Sequence, residues 1–300
     1  MAAIRVLGFD GIVEEQYGMS PRIIRVDEEN EEFRRLELLK RSQSTRHRVR
    51  QFFVEGVKAI DRAREHRWAV RALVYAQGGP MTPWGRETLA ALPEATRIEL
   101  SRPLMGWLSE KNEVSELVAI MAMPPDTTDR LRLGPVPLVA VVDRPSSPGN
   151  LGSIIRSSHA FGVDGVIVTG PGTDVYHPLT VRASMGSLFA LPVVRLESHR
   201  EVGRWIERLA AARSGPGRGA RLQLVGAGAG ASIPFTSVDL TRPAALVFGN
   251  EAKGLARGYR DMCDVVAAIP MERGADSVNV ACAAAIALYE TQRQRRELIR

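Results

Sequence analysis

Apolar and polar positions divide the chain into two runs in which short apolar blocks alternate with amphipathic segments. In the first run, strongest between about residues 46 and 123, QFFVEG reads as a strand, VKAIDRAREH as a helix and VRALVYA as a strand. TPWGRETLAAL follows as a helix, with Thr82 as its N-cap and Pro83 at its first position. TRIEL, the helical PLMGWLSE and the strand LVAIMAMP complete a small α/β unit, assigned to residues 34–123. Residues 1–33 carry the acidic run DEENEEF and little apolar periodicity, so they are expected to be an extension or a short helix outside the core. The prolines and polar residues of MPPDTTDRLRLGPVP predict a linker over 124–137.

The second run fills residues 138–300. Its strands are PLVAVVD, GVIVTG, PVVRL, RLQLVGA, AALVFG and VVAAIP. NLGSIIRSSHAF, PLTVRASMGSL, EVGRWIERLAAAR and SVNVACAAAIALYETQRQ intervene as helices, and SGPGRGA reads as a loop. Such strand–helix–strand spacing predicts a parallel sheet covered on both faces. Ligands bind beyond the carboxyl ends of strands in such sheets. The loops DRPSSPGN, VFGNEAKGL and IPMERGADSVN are therefore where chemistry is expected.

Composition narrows this picture without redirecting it. The 300 residues are 45% hydrophobic and 25% charged, as in ordinary globular proteins. No apolar run approaches the roughly 20 residues needed to span a bilayer, and MAAIRVLGFDG lacks the apolar core of a secretory signal. Cys263 and Cys282 are too few for a disulfide framework or a metal cluster. The expectation is a cytoplasmic protein without metal. The net charge of +6 is unevenly placed: Arg34, Arg35, Lys40, Arg41, Arg46, His47, Arg48, Arg50, Arg62, Arg64, Arg67 and Arg71 crowd one stretch. That stretch suits either a phosphate backbone or a solvated helical face.

Each of the three loops has a candidate residue set. In the first, Asn150 stands at a helix start, suited to capping, and Arg156 projects roughly 140° away from the apolar Leu151, on the polar side. ALVFGNEAKGL, the second, resembles a P-loop but has Lys253 before its second glycine and Leu255-Ala256 where Lys-Ser/Thr belongs. Glu251 in its middle would repel a triphosphate and suits a cationic or hydroxyl-bearing ligand. In the third, Ser277 is suited to cap the last helix, and Asn279 to face the loop cluster. Val278, Ala281, Cys282, Ala285, Leu288 and Tyr289 form the apolar stripe of that helix, with Cys282 a packed thiol. QLVGAGAGAS is similar to a dinucleotide fingerprint, but SIPFTSVDLTRP starts no helix after it, so a flexible turn is expected.

Together and in this order, the loops resemble the SpoU–TrmH family of ribose 2′-O-methyltransferases, in the SPOUT class. SPGNLGSIIRSSHAFGVDGVIV resembles the family's first motif, LVFGNEAKGL its second and IPMERGADSVNVACAAAIALYE its third. VRASMGSLFALPVV is similar to the segment between the first two, so the likeness covers most of 138–292. STRHRVRQFFVEGVKAI resembles the start of a ribosomal-protein-like substrate-binding domain. The resemblance implies a C-terminal parallel-sheet domain with a trefoil knot, a smaller N-terminal α/β RNA-binding domain and a homodimer. It implies S-adenosyl-L-methionine as methyl donor and structured RNA, above all large-subunit ribosomal RNA, as substrate. By position it assigns catalysis to Asn150, Arg156, Glu251, Ser277 and Asn279, and cofactor contacts to Gly249, Asn250, Ile269, Met271 and Val278. Ala252 and Val278 stand where the family often has glycine and leucine. The alternatives are a transfer-RNA 2′-O-methyltransferase, a resistance methyltransferase, or a non-catalytic RNA-binding factor on the same scaffold.

Overall fold

Two sheets, one from each apolar run, frame the molecule. The computed structural model describes residues 21–109, 114–212, 221–272, 274 and 276–298. Its first sheet is built from β1 (Ile23–Val26), α1 (Glu31–Arg41), α2 (Gln43–Val49), β2 (Gln51–Glu55) and α3 (Val57–Glu65). It continues with β3 (Val70–Ala76), α4 (Pro83–Ala90), β4 (Thr96–Leu100), α5 (Arg102–Leu108) and β5 (Val118–Ala122). The five strands lie in the order β1-β4-β3-β5-β2. β4 runs parallel to both neighbours, and β5 antiparallel to β3 and β2.

The N-terminal segment corrects one expectation. Residues 21–33 are not an extension: β1 pairs with β4, and Val26 and Phe33 are buried in the first core. The acidic run is a helix start. Asn30 accepts from the Phe33 amide at 3.0 Å, Glu31 and Glu32 occupy the first turn, and Lys40 and Arg41 the last. Charges placed so complement the helix dipole. Residues 1–20 and the SGPGRGA loop lie outside the described residues. Thr82 caps α4 as expected, accepting from the Gly85 amide.

The second domain begins with β6 (Leu138–Asp143), α6 (Pro148–Ala160), β7 (Gly165–Thr169), α7 (Pro178–Ala183), α8 (Ser187–Ala190) and β8 (Val193–Leu196). After α9 (His199–Ala212) come β9 (Gln223–Ala227), β10 (Ile233–Pro234), β11 (Ala244–Phe248), α10 (Arg257–Met262), β12 (Val265–Ala268) and α11 (Val280–Glu297). The seven strands, in the order β10-β12-β9-β11-β6-β7-β8, are all parallel. From β6 the chain moves outward through β7 to β8, then returns to the other side of β6. The switch point therefore falls between β6 and β11, whose carboxyl ends are where such sheets bind ligands.

One continuous apolar core joins the domains, including Phe52, Ile60 and Leu73 of the first and Leu151, Tyr176 and Phe189 of the second. Phe52 lies 4.6 Å from Tyr176 between ring centroids, and the Trp68 indole donates to the Phe189 carbonyl at 3.0 Å. PLTVRASMGSL, expected as one helix, breaks at this interface. Met185 and Gly186 take φ of 49° and 88°, and a Cβ on Gly186 would come within 2.7 Å of Arg62 Cγ. Only glycine lets the backbone approach so closely at that angle.

The basic stretch of the first domain divides in two. Arg46, 1% exposed, donates to Asp174 at 2.7 Å and to the Leu39 and Lys40 carbonyls, and His47 meets the other Asp174 oxygen at 3.1 Å. These two residues join the domains instead of facing a ligand. Arg35, Arg41, Arg62 and Arg64 are paired with carboxylates of their own helices. Arg34, Arg48, Arg67 and Arg71 are exposed, their side chains without hydrogen bond or ion pair among the described residues.

Candidate active site

The first loop starts where β6 ends at Asp143, which is 4% exposed. Arg144 follows in the left-handed region at φ 52°, an angle costly for a side chain-bearing residue. Its guanidinium donates to Asp143 Oδ2 at 2.8 Å and to the Gly254 carbonyl at 3.2 Å, tying the first loop to the second. Beneath it, the Thr169 hydroxyl donates to Asp143 and lies 3.0 Å from the Tyr259 hydroxyl. Ser147, not Asn150, caps α6, its hydroxyl accepting from the Asn150 amide at 3.3 Å. That leaves the Asn150 side chain free to reach across the crevice.

The second loop folds back on itself. Asn250 and Gly254 exchange backbone hydrogen bonds, and the Asn250 side chain accepts from the Ala252 and Lys253 amides while donating to the Arg144 carbonyl at 2.8 Å. The backbone of Gly254 and Leu255 fills the space a Cβ on Gly249 would need, so position 249 is sterically restricted to glycine. Glu251 is pulled onto the first loop. Its Oε2 accepts from the Ser146 amide and hydroxyl at 2.9 and 2.6 Å, and its Oε1 from the Ser147 amide and Asn150 Nδ2 at 3.0 and 3.1 Å. Partial burial raises the pKa of this carboxyl, but the bonds from Ser146 and Asn150 outweigh it and bring the value down to about 2.

The third loop leads into α11. Asn279, not Ser277, is its N-cap, with Oδ1 accepting from the Ala281 and Cys282 amides and Nδ2 donating to Asn150 Oδ1 at 3.1 Å. The apolar stripe of α11 is displaced from the expected one: Ala284, Ala287 and Leu288 are buried, whereas Cys282 is exposed and Tyr289 is 58% exposed. Starting the helix at Val280 rotates the inward face by one to two positions. Cys282 is therefore a surface thiol and not a packed one.

The second and third loops border a cleft of about 150 Å³, and the first loop is tied to its rim through Glu251. Gly249, Asn250, Glu251, Ile269, Met271, Ser277 and Val278 all line it. Asn150 and Asn279 are tied to Glu251 as described, while Arg156 is exposed on α6 and is not part of the lining. Sequence reasoning missed Ala227, Gly228 and Ala229, which form one wall. The signal was present in QLVGAGAGAS, where the failed dinucleotide pattern hid a backbone-exposing turn. A Cβ on Gly228 would meet Val266 Cγ1 at 2.8 Å, so the turn lies tightly against β12. The lining holds one carboxylate and no Lys or Arg. Small residues, exposed backbone and a single negative charge fit an adenosyl group bearing a sulfonium, and exclude a triphosphate. Among the described residues no cluster could hold a metal ion, and no helix is long and apolar enough to cross a membrane.

A parallel sheet with a loop-built cleft beyond the carboxyl ends of β9, β11 and β12, attached to a smaller α/β domain, defines a two-domain α/β protein with a candidate ligand site in its C-terminal half. The chain belongs to the SpoU rRNA methylase family, which matches residues 137–289, and residues 30–119 match the SpoU L30e-like domain. It is 40% identical over 277 residues to a 23S rRNA (uridine(2479)-2′-O)-methyltransferase of Streptomyces viridochromogenes, covering 92% of this chain and 94% of that protein. The SpoU methyltransferase AviRb from Streptomyces viridochromogenes, solved in complex with AdoMet, superposes with a TM-score of 0.84 at 41% identity, over 89% of this chain and 99% of that one. An AdoMet-bound rRNA methyltransferase from Sinorhizobium meliloti superposes with a TM-score of 0.76 at 28% identity, over 90% and 98%.

Proposed function

We propose that the protein transfers the methyl group of S-adenosyl-L-methionine to a ribose 2′-hydroxyl of large-subunit ribosomal RNA in the cytoplasm, with a uridine as the first nucleotide to examine. The observation that carries this reading is the interlock of Asn150, Glu251 and Asn279 across three loops beside a cleft without cationic lining. A bound sulfonium donor supplies an already activated methyl group, so the protein must align the attacking hydroxyl and manage its proton. The backbone at Gly249, Ile269 and Val278, with Asn250 and Met271 beside it, is assigned to the adenosyl group.

Glu251 is not the base in this scheme. Both its oxygens are occupied and its pKa is about 2, so it holds no proton at neutral pH and takes none up. Its work is to fix Asn150, whose carboxamide is held by Glu251 on one side and Asn279 on the other. Ser277 presents its hydroxyl to the cleft, where a ribose is assigned. Arg156 supplies a guanidinium, a group whose fork of N–H donors suits a phosphate. Its role is to grip the phosphate beside the target ribose and stabilise the developing alkoxide, whose proton leaves to solvent water.

A homodimer and a trefoil knot in the C-terminal domain complete the proposal, with residues 124–137 as the linker between domains. Ile286 and Tyr289 are exposed on one side of α11, Tyr289 standing edge-on to Phe161. A second copy on that face covers these side chains and brings an Arg156 to the cleft that the chain's own Arg156 does not line. Ile286→Glu is expected to shift the protein to monomer in light scattering and weaken donor binding; an unchanged mass overturns the interface. Calorimetry with S-adenosyl-L-methionine separates the enzyme from a non-catalytic RNA-binding factor, for which no heat is expected. Mapping of 2′-O-methyl groups in 23S rRNA from cells with and without the gene tests the substrate, one position being expected to disappear. An unchanged 23S map with a lost mark in transfer RNA would favour the alternative substrate.

A further inference from the structure

A second cleft, of about 580 Å³, opens along the seam between the two domains. Leu191 and Pro192, just before β8, line it, whereas the donor cleft takes the loops that follow β9, β11 and β12. In a parallel sheet these are opposite ends, separated by strands of about five residues, or roughly 17 Å. The seam cleft is preformed, because the Trp68 indole in its wall is hydrogen-bonded to the Phe189 carbonyl across the domain boundary.

Its charge is one-sided. Arg67, Arg130 and Arg132 line it against a single carboxylate, Asp129. Arg130 is anchored to the Val193 and Pro125 carbonyls, at 2.9 and 3.3 Å. Arg67 and Arg132 are exposed, and their side chains have no hydrogen bond or ion pair among the described residues. The backbone at Arg67 makes the case specific. Its amide donates to the Arg64 carbonyl and the Trp68 amide to the Ala63 carbonyl, the paired bonds that close a helix on a left-handed residue. Arg67 occupies that left-handed position with φ 55°, where glycine carries no steric cost. An arginine held against the local backbone preference is the pattern expected of a side chain kept for what it binds.

We infer that the seam cleft binds a second stretch of the RNA substrate, with backbone phosphates on Arg67 and Arg132. This rests on the reading of the protein as an RNA methyltransferase, and it makes the RNA footprint extend beyond the donor cleft to the far end of the sheet. The domains then act as one fixed gauge, so that only an RNA presenting both features is held productively.

The test is filter binding of unmodified full-length 23S rRNA by the donor-loaded protein over a salt series. Arg67→Gly together with Arg132→Gln is expected to weaken binding roughly tenfold and to lower the slope of log K against log salt by about two, one for each phosphate no longer neutralised. Arg67→Gly alone should hold or raise Tm, since glycine suits the left-handed position, and Arg67→Lys should retain affinity. Donor affinity should not change in any of them. If Arg67→Gly destabilises the fold, Arg132→Gln alone is still expected to lower the slope by about one. RNA affinity and salt slope equal to wild type in the folded variants would overturn the inference. A wild-type protein that binds no RNA would instead sink the proposed function itself.

Discussion

Replacing Glu251 with glutamine tests the site through its most connected side chain. The carboxylate accepts four hydrogen bonds, two from Ser146, one from Ser147 and one from Asn150. Glutamine keeps one acceptor oxygen and turns an N–H donor toward the other pair of donors. If the carbonyl stays on Ser146, the Ser147 amide and Asn150 Nδ2 lose their partner. Each such loss costs about 1 kcal/mol at a half-buried position, or about 2 kcal/mol in all, which is roughly 30-fold in an equilibrium constant. The cost falls on the junction of two loops around the donor cleft, so donor affinity should weaken by up to that factor, with a modest drop in Tm. The pH behaviour follows from the lowered pKa. Because the folded value lies near 2, below the ordinary 4.5, the stabilisation from this group is present above the ordinary value and is lost as pH falls through the folded one. Donor affinity of the wild type should therefore show no titration from Glu251 between about pH 5 and 8. Calorimetry and thermal denaturation of Glu251→Gln give both quantities. A variant within twofold of wild type in donor affinity, with Tm unchanged, would refute the bracing role.

Four further substitutions separate other parts of the structure. Gly249→Ala pushes a methyl group into the Gly254–Leu255 backbone; a loss of about 1–3 kcal/mol and at least tenfold weaker donor binding are expected by the same two assays. Asn279→Ala removes a helix cap and the bond to Asn150, costing about 1–2 kcal/mol by chemical denaturation. Ser277→Ala should leave stability unchanged, and a stability loss there would reinstate Ser277 as the cap. Arg46→Met strands the buried Asp174, with an expected cost of about 3–5 kcal/mol in urea. Burial raises the Asp174 pKa, but hydrogen bonds from His47 and Arg46 prevail and lower it. Its stabilisation is thus present above the ordinary 3.8 and lost as pH falls through the lowered value, so wild-type melts should weaken with acid more steeply than those of Arg46→Met.

Local pattern made the strands of the second sheet legible. Six of the seven, from PLVAVVD to VVAAIP, are short blocks dominated by apolar residues, and each is a buried or half-buried strand in the structure, whereas the exposed two-residue β10 left no such pattern. What the pattern hid depends on the third dimension. DEENEEF looks like a solvated tail because its apolar partners, Leu36 and Leu39, come after it and β4 is some 70 residues away. Arg46 looks like part of a basic surface until the fold brings Asp174 to it. Asn150 and Ser277 are both plausible caps by residue type, and choosing among neighbouring polar residues requires backbone angles: Ser147 and Asn279 have the extended geometry and the amide partners. The wall at Ala227–Ala229 escapes a sequence reading because a glycine pattern that fails one motif looks like flexibility. The motif resemblance found the site loops, whereas the bond network that joins them through Ser146, Ser147 and Arg144 came only with coordinates.

Methylation of unmodified 23S rRNA by the purified protein with isotopically labelled S-adenosyl-L-methionine, read by nucleoside mass spectrometry, tests the central claim most directly. The expected result is label in a single 2′-O-methylated nucleoside, strongly reduced by Arg156→Ala while donor binding persists. No label in ribosomal RNA, or label carried on a base instead of a ribose, would contradict it.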